Sequence, residues 1–353
     1  MPIGGVAFVL LVAFLHTEYD RETSFEKKLL RIDFLGNGIL MASTASVLVS
    51  LSWAGTIHSW KSAQVLVPLL VGFAGTAAFH VLQVSKLVVE PTMPPYLFTS
   101  RTTVSAYIQA FTNSMLISWS IYFLPVYFQA VLGSTPARSG VQFLPSVIIG
   151  IPFAIFAGFL LTAFGRYKPL HLISWALKVI GLGLYTTLDA GSSTGEWTGY
   201  QIIQAIGTGM LMSALLPAVQ AGLPESDMAT ATATFQFVRA YGAIWGFAIP
   251  SAIFNSQFSN LAGRINDANV RELLDGGGAY SHVSRDFINS FEPLVKGQII
   301  SVYKDSLKVV WQVALGISCF SFLIVFLERE IKLRTELDTE FGLKKDTKVE
   351  EAA

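Results

Sequence analysis

Charge is scarce in this 353-residue chain: only 14% of residues are Asp, Glu, Lys or Arg, against 52% hydrophobic, and the formal net charge is zero. With no excess of either sign, nothing in the total argues for nucleic acid or an acidic partner. Cysteine is almost missing as well. The lone Cys319 excludes an intrachain disulfide and any multi-cysteine metal site. No N-x-S/T sequon occurs, and there is no G-x-S-x-G, H-E-x-x-H, phosphate loop, dinucleotide fingerprint or metal-spaced His/Cys cluster. No enzyme class is therefore suggested, and neither a metal nor a bound cofactor. What the chain has is apolar length, with a mean hydropathy of +0.53. That combination is the signature of an all-α polytopic membrane protein in contact with lipid.

The most informative stretch is 228–255, MATATATFQFVRAYGAIWGFAIPSAIFN. It exceeds the ~20 helical residues, at ~1.5 Å each, needed to cross a bilayer. Its single formal charge, Arg239, is central. An arginine there costs at least ~2.5–3.5 kcal/mol on insertion scales, so it should face a bundle interior or a water-filled cavity. Gln236 lies three residues earlier on the same face. Gly242 and Gly246 form a G-x-x-x-G step that lets a neighbouring backbone approach, while Ala243 and Pro250 add small-residue and kink character. A polar inner face on a membrane helix suggests a pore or a carrier.

In chain order, 3–15 is apolar but shorter than a span, and it lacks a signal peptide's basic start and cleavage pattern. It reads either as an anchor or as a helix entered part-way, and we expect the second: residues 1–16 form a partial transmembrane helix. Residues 17–32 are a charged amphipathic connector. Two spans fill 33–85, and the Pro/Thr-rich 86–102 is a loop. Six further spans occupy 103–327 (103–131, 140–164, 169–188, 198–223, 228–255 and 307–327), with a polar loop over 257–305 containing Gly276-Gly277-Gly278. The charged residues 328–353 form a tail. Short-loop lysines and arginines collect on alternate faces (Arg21, Lys27, Lys28, Arg31, Lys86, Arg101, Arg166, Lys168 and the tail), which makes that face and the C-terminus cytoplasmic.

Several stretches then resemble one family: PIGGVAFVLL at 2–11, RIDFLGNGILMASTASVLVSLSWAG at 31–55, YFLPVYFQAVLGSTPARSGVQFLP at 122–145, ATATFQFVRAYGAIWGFAIPSAIFN at 231–255, LLDGGGAYSHVSRDFINSF at 273–291 and EREIKLRTELDTEFGL at 328–343. They are similar to fungal-type multidrug carriers of the major facilitator superfamily, in the fourteen-helix drug:proton antiporter branch. The resemblance implies a C-terminal six-helix half plus two linker helices, with the N-terminal helices missing and required for full transport. It also implies efflux of amphipathic small molecules such as drugs or toxins by alternating access, driven by a proton gradient, in the plasma membrane rather than the vacuole. A second reading is a truncated, non-transporting membrane polypeptide. Gly158-Phe159-Leu160-Leu161-Thr162-Ala163-Phe164-Gly165-Arg166 resembles the family's cytoplasmic G-x-L-x-D-x-x-G-R loop: Gly158, Leu160, Gly165 and Arg166 fit, and Thr162 replaces the acid. A conformational lock or plain positive-inside anchoring would each account for it.

Other residues carry competing readings. Lys178 is mid-span and either functional or snorkelling. Gln109 and Asn113, at i and i+4, either bond a small-molecule substrate or join helices. His80 is read as interfacial rather than as a proton relay, and Asp33 as a helix cap. Tyr107, Phe111 and Trp245 could line a drug site but more often such rings are packing.

Overall fold

A computed structural model of the chain describes residues 2–14, 32–88, 90–331 and 333. The connector at 17–31 and the tail at 334–353, with the basic residues assigned to them, lie outside the described residues.

Helix α1 (Pro2–Phe14) comes first, and every described side chain in it is exposed. Helices α2 (Phe34–Trp53) and α3 (Ala63–Val84) form a hairpin. Small and hydroxyl side chains draw them together, because lipid offers no hydrophobic drive between apolar helices. Gly72 sits against Val47 and the Ser43 carbonyl, and Gly75 against the Ser43 hydroxyl. Ser46 Oγ donates to the Pro68 carbonyl (2.7 Å), and Ser50 Oγ to that of Val65 (2.6 Å). Asp33 caps α2: one carboxylate oxygen accepts from the Gly36 amide (2.7 Å) and the other from Gln83 Nε2 (2.5 Å). The cap reading of Asp33 is thus seen in its geometry.

Six longer elements build the main bundle: α4 (Arg101–Val126), α5 (Pro136–Phe164), α6 (Lys168–Tyr185), α7 (Thr194–Gln220), α8 (Met228–Leu261) and, after a folded cap, α12 (Pro293–Val325). Past Pro125, which cannot donate to the helix ladder, α4 opens into a wider π turn over Tyr127–Val131. Helix α7 is the keel of one side, packed on both α5 and α6. A Cβ on Gly207 would collide with the Ser174 carbonyl of α6, and one on Gly209 with the Gly150 carbonyl of α5. On the other side Gly242 and Gly246 of α8 lie on the α4 carbonyls of Phe111 and Met115. Trp119, Trp175, Trp311 and Tyr185 fill the interior, with the last two edge to face at 5.0 Å.

The element bounds differ from the sequence expectation in three places. Among the described residues seven helices are long and apolar enough to cross a membrane; α6, at 18 residues and carrying Lys178, is an eighth long helix outside that set. Helix α8 continues to Leu261 and α12 begins at Pro293 rather than Leu307, so 262–292 alone separates them. These extra turns are amphipathic and polar, which hid them in a hydropathy reading. The intervening segment folds onto the helix ends as α9 (Ala268–Leu274), α10 (Gly278–Ser281) and α11 (Arg285–Asn289), burying Ile265, Val270, Leu274, Ala279 and Ile288. Gly276 and Gly277 take positive φ (58° and 93°) where the chain turns beneath Thr56 of the α2–α3 connection. Rather than an open loop, the glycine run is a packed turn.

Since the glycine contacts leave no room for a side chain, Gly242→Leu and Gly246→Leu should each push α8 off α4. Overpacking of this kind costs about 1–3 kcal/mol or more. The expected outcome is a broad or aggregated profile in fluorescence-detected size-exclusion chromatography, with Ala240→Leu, at an exposed position of the same helix, unaffected.

Candidate functional site

At the bundle end that carries Arg101, Arg166 and Lys168, the carboxylate of Glu328 is drawn wholly inside. Its side chain and that of His171 both have 0% exposure, with Nδ1 of the imidazole 3.0 and 3.1 Å from the two carboxylate oxygens. With Glu328 ionised the carboxylate only accepts, and the hydrogen between the two then sits on Nδ1. Gln109 Nε2 and Ser105 Oγ of α4 donate to the same carboxylate. Gln109 in turn accepts from Trp175 Nε1 (2.8 Å). Glu328 follows α12 directly, so this one group joins α4, α6 and α12.

Residues beyond Glu328 run as a strap across the bundle end. Thr102 Oγ1 accepts from the Arg329 amide (3.0 Å), Lys168 Nζ donates to the Glu328 carbonyl, and the Tyr167 amide donates to Glu330 Oε1 (3.1 Å). Tyr167 OH donates to the Arg329 carbonyl and accepts from the Ile331 amide (3.0 Å). Burial, reinforced by Glu328 and Glu330 and opposed by the Ile331 amide, pushes that phenol up to about 12, so it stays a donor at neutral pH. The strap's Glu330 and Leu333 wall a cavity of about 940 Å³ together with Gly165, Arg166, Gln220 and Met228.

The candidate loop residues meet here. Gly165 caps α5 in the left-handed conformation (φ 63°), its amide donating to the Leu161 carbonyl (2.8 Å). Thr162 Oγ1 bonds back to the Gly158 carbonyl (3.0 Å), and Arg166 is exposed at the cavity rim.

About two turns beyond His171 on α6, Lys178 is fully buried. Its ammonium donates to Asn113 Oδ1 (2.5 Å) and lies 5.3 Å from the Trp175 ring centre. Among the described residues it has no carboxylate partner. Gln109 and Asn113, which share a face of α4, are therefore each occupied by a partner from elsewhere in the chain: Glu328 for one, Lys178 for the other.

Arg239 stands apart from that column. It is half-buried on α8, its guanidinium donating to Gln236 Oε1 (3.3 Å) and resting 5.6 Å over the Phe235 ring. Gln236 is exposed. Tyr107 and Phe111 line a space of about 270 Å³ with Leu40 and Phe79 of the hairpin, and exposed His80 borders it. Tyr107 OH donates to the Ala231 carbonyl (3.2 Å), and Trp245 is half-buried.

Sequence reasoning missed two features. A groove of about 480 Å³ opens between α4, α5 and α7, mostly apolar but carrying Ser120, Ser146, Gln204 and Thr208. Gln201, Gln204 and Thr208, at i, i+3 and i+7, were the available signal of a polar stripe on α7. The other is the Glu328–His171 pair, for which an acid directly after the last apolar run was the only hint.

With this geometry in view, comparison with known proteins is informative. No family model matches the chain. The transporter gkaD of Penicillium citrinum, described as MFS-type, is 47% identical over 349 residues, 99% of this chain and 60% of its own length. The chain is thus similar to fungal MFS-type transporters. The transporter pydD of Acremonium sp, also MFS-type, is 45% identical, covering 100% of this chain and 62% of pydD, and the efflux pump LUC4 of Fusarium sp is 42% identical, covering 100% and 63%. The chain thus spans about three-fifths of the length of these relatives. Among solved structures, a bacterial homologue of the human lysosomal transporter Spinster matches with a TM-score of 0.50 and 14% identity, over 83% of this chain and 67% of that one. At that identity the likeness speaks for the fold alone.

Removing the acceptor from the buried cluster leaves His171 and Gln109 with unmet donors, and breaking a buried pair typically costs about 3–5 kcal/mol. Glu328→Ala should lower the melting temperature clearly more than Glu330→Ala, whose carboxylate accepts a single amide, in thermal unfolding of the purified chain.

Proposed function

We propose that this chain is the C-terminal portion of a proton-coupled efflux carrier of the fourteen-helix branch, exporting amphipathic small molecules by alternating access. The observation that carries this reading is the 47% identity to an MFS-type transporter across 99% of the chain. The match extends over 349 residues, connections and spans included. The bundle supports the reading physically. Lys178, Asn113, Gln109 and His171 are polar groups buried within long apolar helices, an arrangement that is expensive in a membrane and typical of substrate or ion pathways.

In this reading the groove between α4, α5 and α7 accepts the apolar body of the substrate, and Gln204, Thr208 and Ser146 offer the few directional hydrogen bonds that fix its orientation. Arg239 supplies the positive charge of the pathway. Among the described residues its hydrogen-bond partner is the neutral Gln236, so an anionic substrate group or a coupling carboxylate can claim it at each cycle. Lys178 is already held by Asn113 and serves to keep α4 and α6 together. The Gly158–Arg166 loop, the strap and the C-terminus lie on the cytoplasmic face, in the plasma membrane.

The test joins this chain to the remaining helices of the Penicillium relative and expresses the chimera in yeast devoid of drug pumps. The chimera should lower steady-state accumulation of an amphipathic fluorescent dye, and a protonophore should abolish the effect. Arg239→Ala should reduce the initial efflux rate about tenfold, a rise of ~1.4 kcal/mol in the transport barrier, while Arg239→Lys retains part of the rate. Full efflux by both variants at normal expression would remove Arg239 from the pathway. Efflux indifferent to the protonophore would refute proton coupling.

A further inference from the structure

At the bundle end opposite Glu328, three cations from three separate segments open on one cavity of about 460 Å³: Arg138, Arg285 and Lys296, with Asn289 and the turn at Leu132, Gly133 and Ser134 closing the wall. Each cation lies in the first turn of its helix. Arg138 is the third residue of α5, Arg285 the first of α11 and Lys296 the fourth of α12. A helix N-terminus presents unpaired N–H groups and the positive end of the backbone dipole, so acidic residues suit the first turn and cations there are unfavourable. The long helices α5 and α12 each place a cation this way, and Arg285 of the short α11 adds a third charge to the same space.

Neighbouring charges do not relieve this. Among the described residues none of the three cations forms an ion pair, although Asp286 and Glu292 are close in sequence. Two other cations at the same end, Arg264 and Lys304, are both paired with Asp305, at 2.6 and 3.4 Å. The contrast is local: the fold neutralises basic residues around Asp305 and leaves this trio open. Nor does the cavity have the apolar character of the groove between α4, α5 and α7, since basic and amide side chains make most of its wall.

We propose that the Arg138–Arg285–Lys296 cavity binds an oxyanion, the phosphate or carboxylate group of a small solute or of a lipid headgroup. The bound anion offsets the three charges and fastens the cap helix α11 to the entrances of α5 and α12. Guanidinium forks on two sides and an ammonium on the third match the oxygens of a tetrahedral or planar anion. The inference goes beyond the transport reading and does not depend on it.

The test is thermal unfolding of the full chain in phosphatidylcholine nanodiscs, titrated with sodium phosphate against sodium chloride of equal ionic strength. A second arm uses discs containing phosphatidylglycerol and no phosphate. For the wild type, phosphate at about ten times its Kd should raise Tm by about 2 °C over chloride. The double variant Arg138→Gln/Lys296→Gln should lose that rise, and without phosphate it should melt at or above the wild-type temperature, because two misplaced cations are gone. A rise confined to phosphatidylglycerol discs, and lost in the double variant, assigns the site to a lipid headgroup. A rise that persists in the double variant, or no rise in either arm, overturns the proposal.

Discussion

The burial of one carboxylate organises this bundle. Glu328 sits just past the last long helix, where an acid would ordinarily remain in water, and yet its side chain has no exposure. Withdrawing such a charge from water costs several kcal/mol unless donors surround it, and His171, Gln109 and Ser105 are those donors. Because they belong to α4 and α6 while Glu328 continues α12, satisfying one group fixes three helix ends at once. The strap that follows inherits its course from the same anchor, and with it the wall of the cavity beside Gly165 and Arg166.

Away from that anchor the helices are held by closeness rather than by charge. Gly207 and Gly209 let α7 touch both neighbours at backbone distance, and Gly242 with Gly246 does the same for α8 on α4. In lipid this is the effective means of association, since apolar side chains gain little by exchanging lipid tails for one another. The polar residues left between these contacts are few. They separate into an inner column of mutually bonded groups, from Glu328 to Lys178, and a sparser set outside it, Arg239 with Gln236 and the α7 stripe beside the groove. Their difference in partners suggests a division of labour between holding the bundle and meeting a ligand.

Much of the architecture could be read from residue order. The long apolar runs mark the helices, Asp33 announces a helix start, and the glycine before Arg166 forecasts a tight turn. Helix ends were less legible where amphipathic turns continue past the hydrocarbon layer, as at Leu261 and Pro293. The functional groups were harder still. Gln109 and Asn113 share a face of α4, and spacing alone cannot tell a free amide from an engaged one. Their partners, Glu328 and Lys178, lie 219 and 65 residues away in sequence. No local pattern encodes such pairings, because they arise only when α4, α6 and α12 pack. Lys178 was noticeable as a mid-span charge, whereas His171, close to a helix start, gave no such signal.

The make-up of α6 bears on how this protein enters its membrane. It is the one long helix of the bundle that falls outside the set apolar enough to cross by itself, for it carries His171, Ser174 and Lys178 on the buried side. A translocon sorting segments singly by hydrophobicity would hesitate over it. Its acceptance by the bilayer must lean on a companion already formed or forming, and α7, which meets it at Gly207 and Gly181, is the natural escort. The helix that follows α6 in the chain is thus also the one that packs along it most closely.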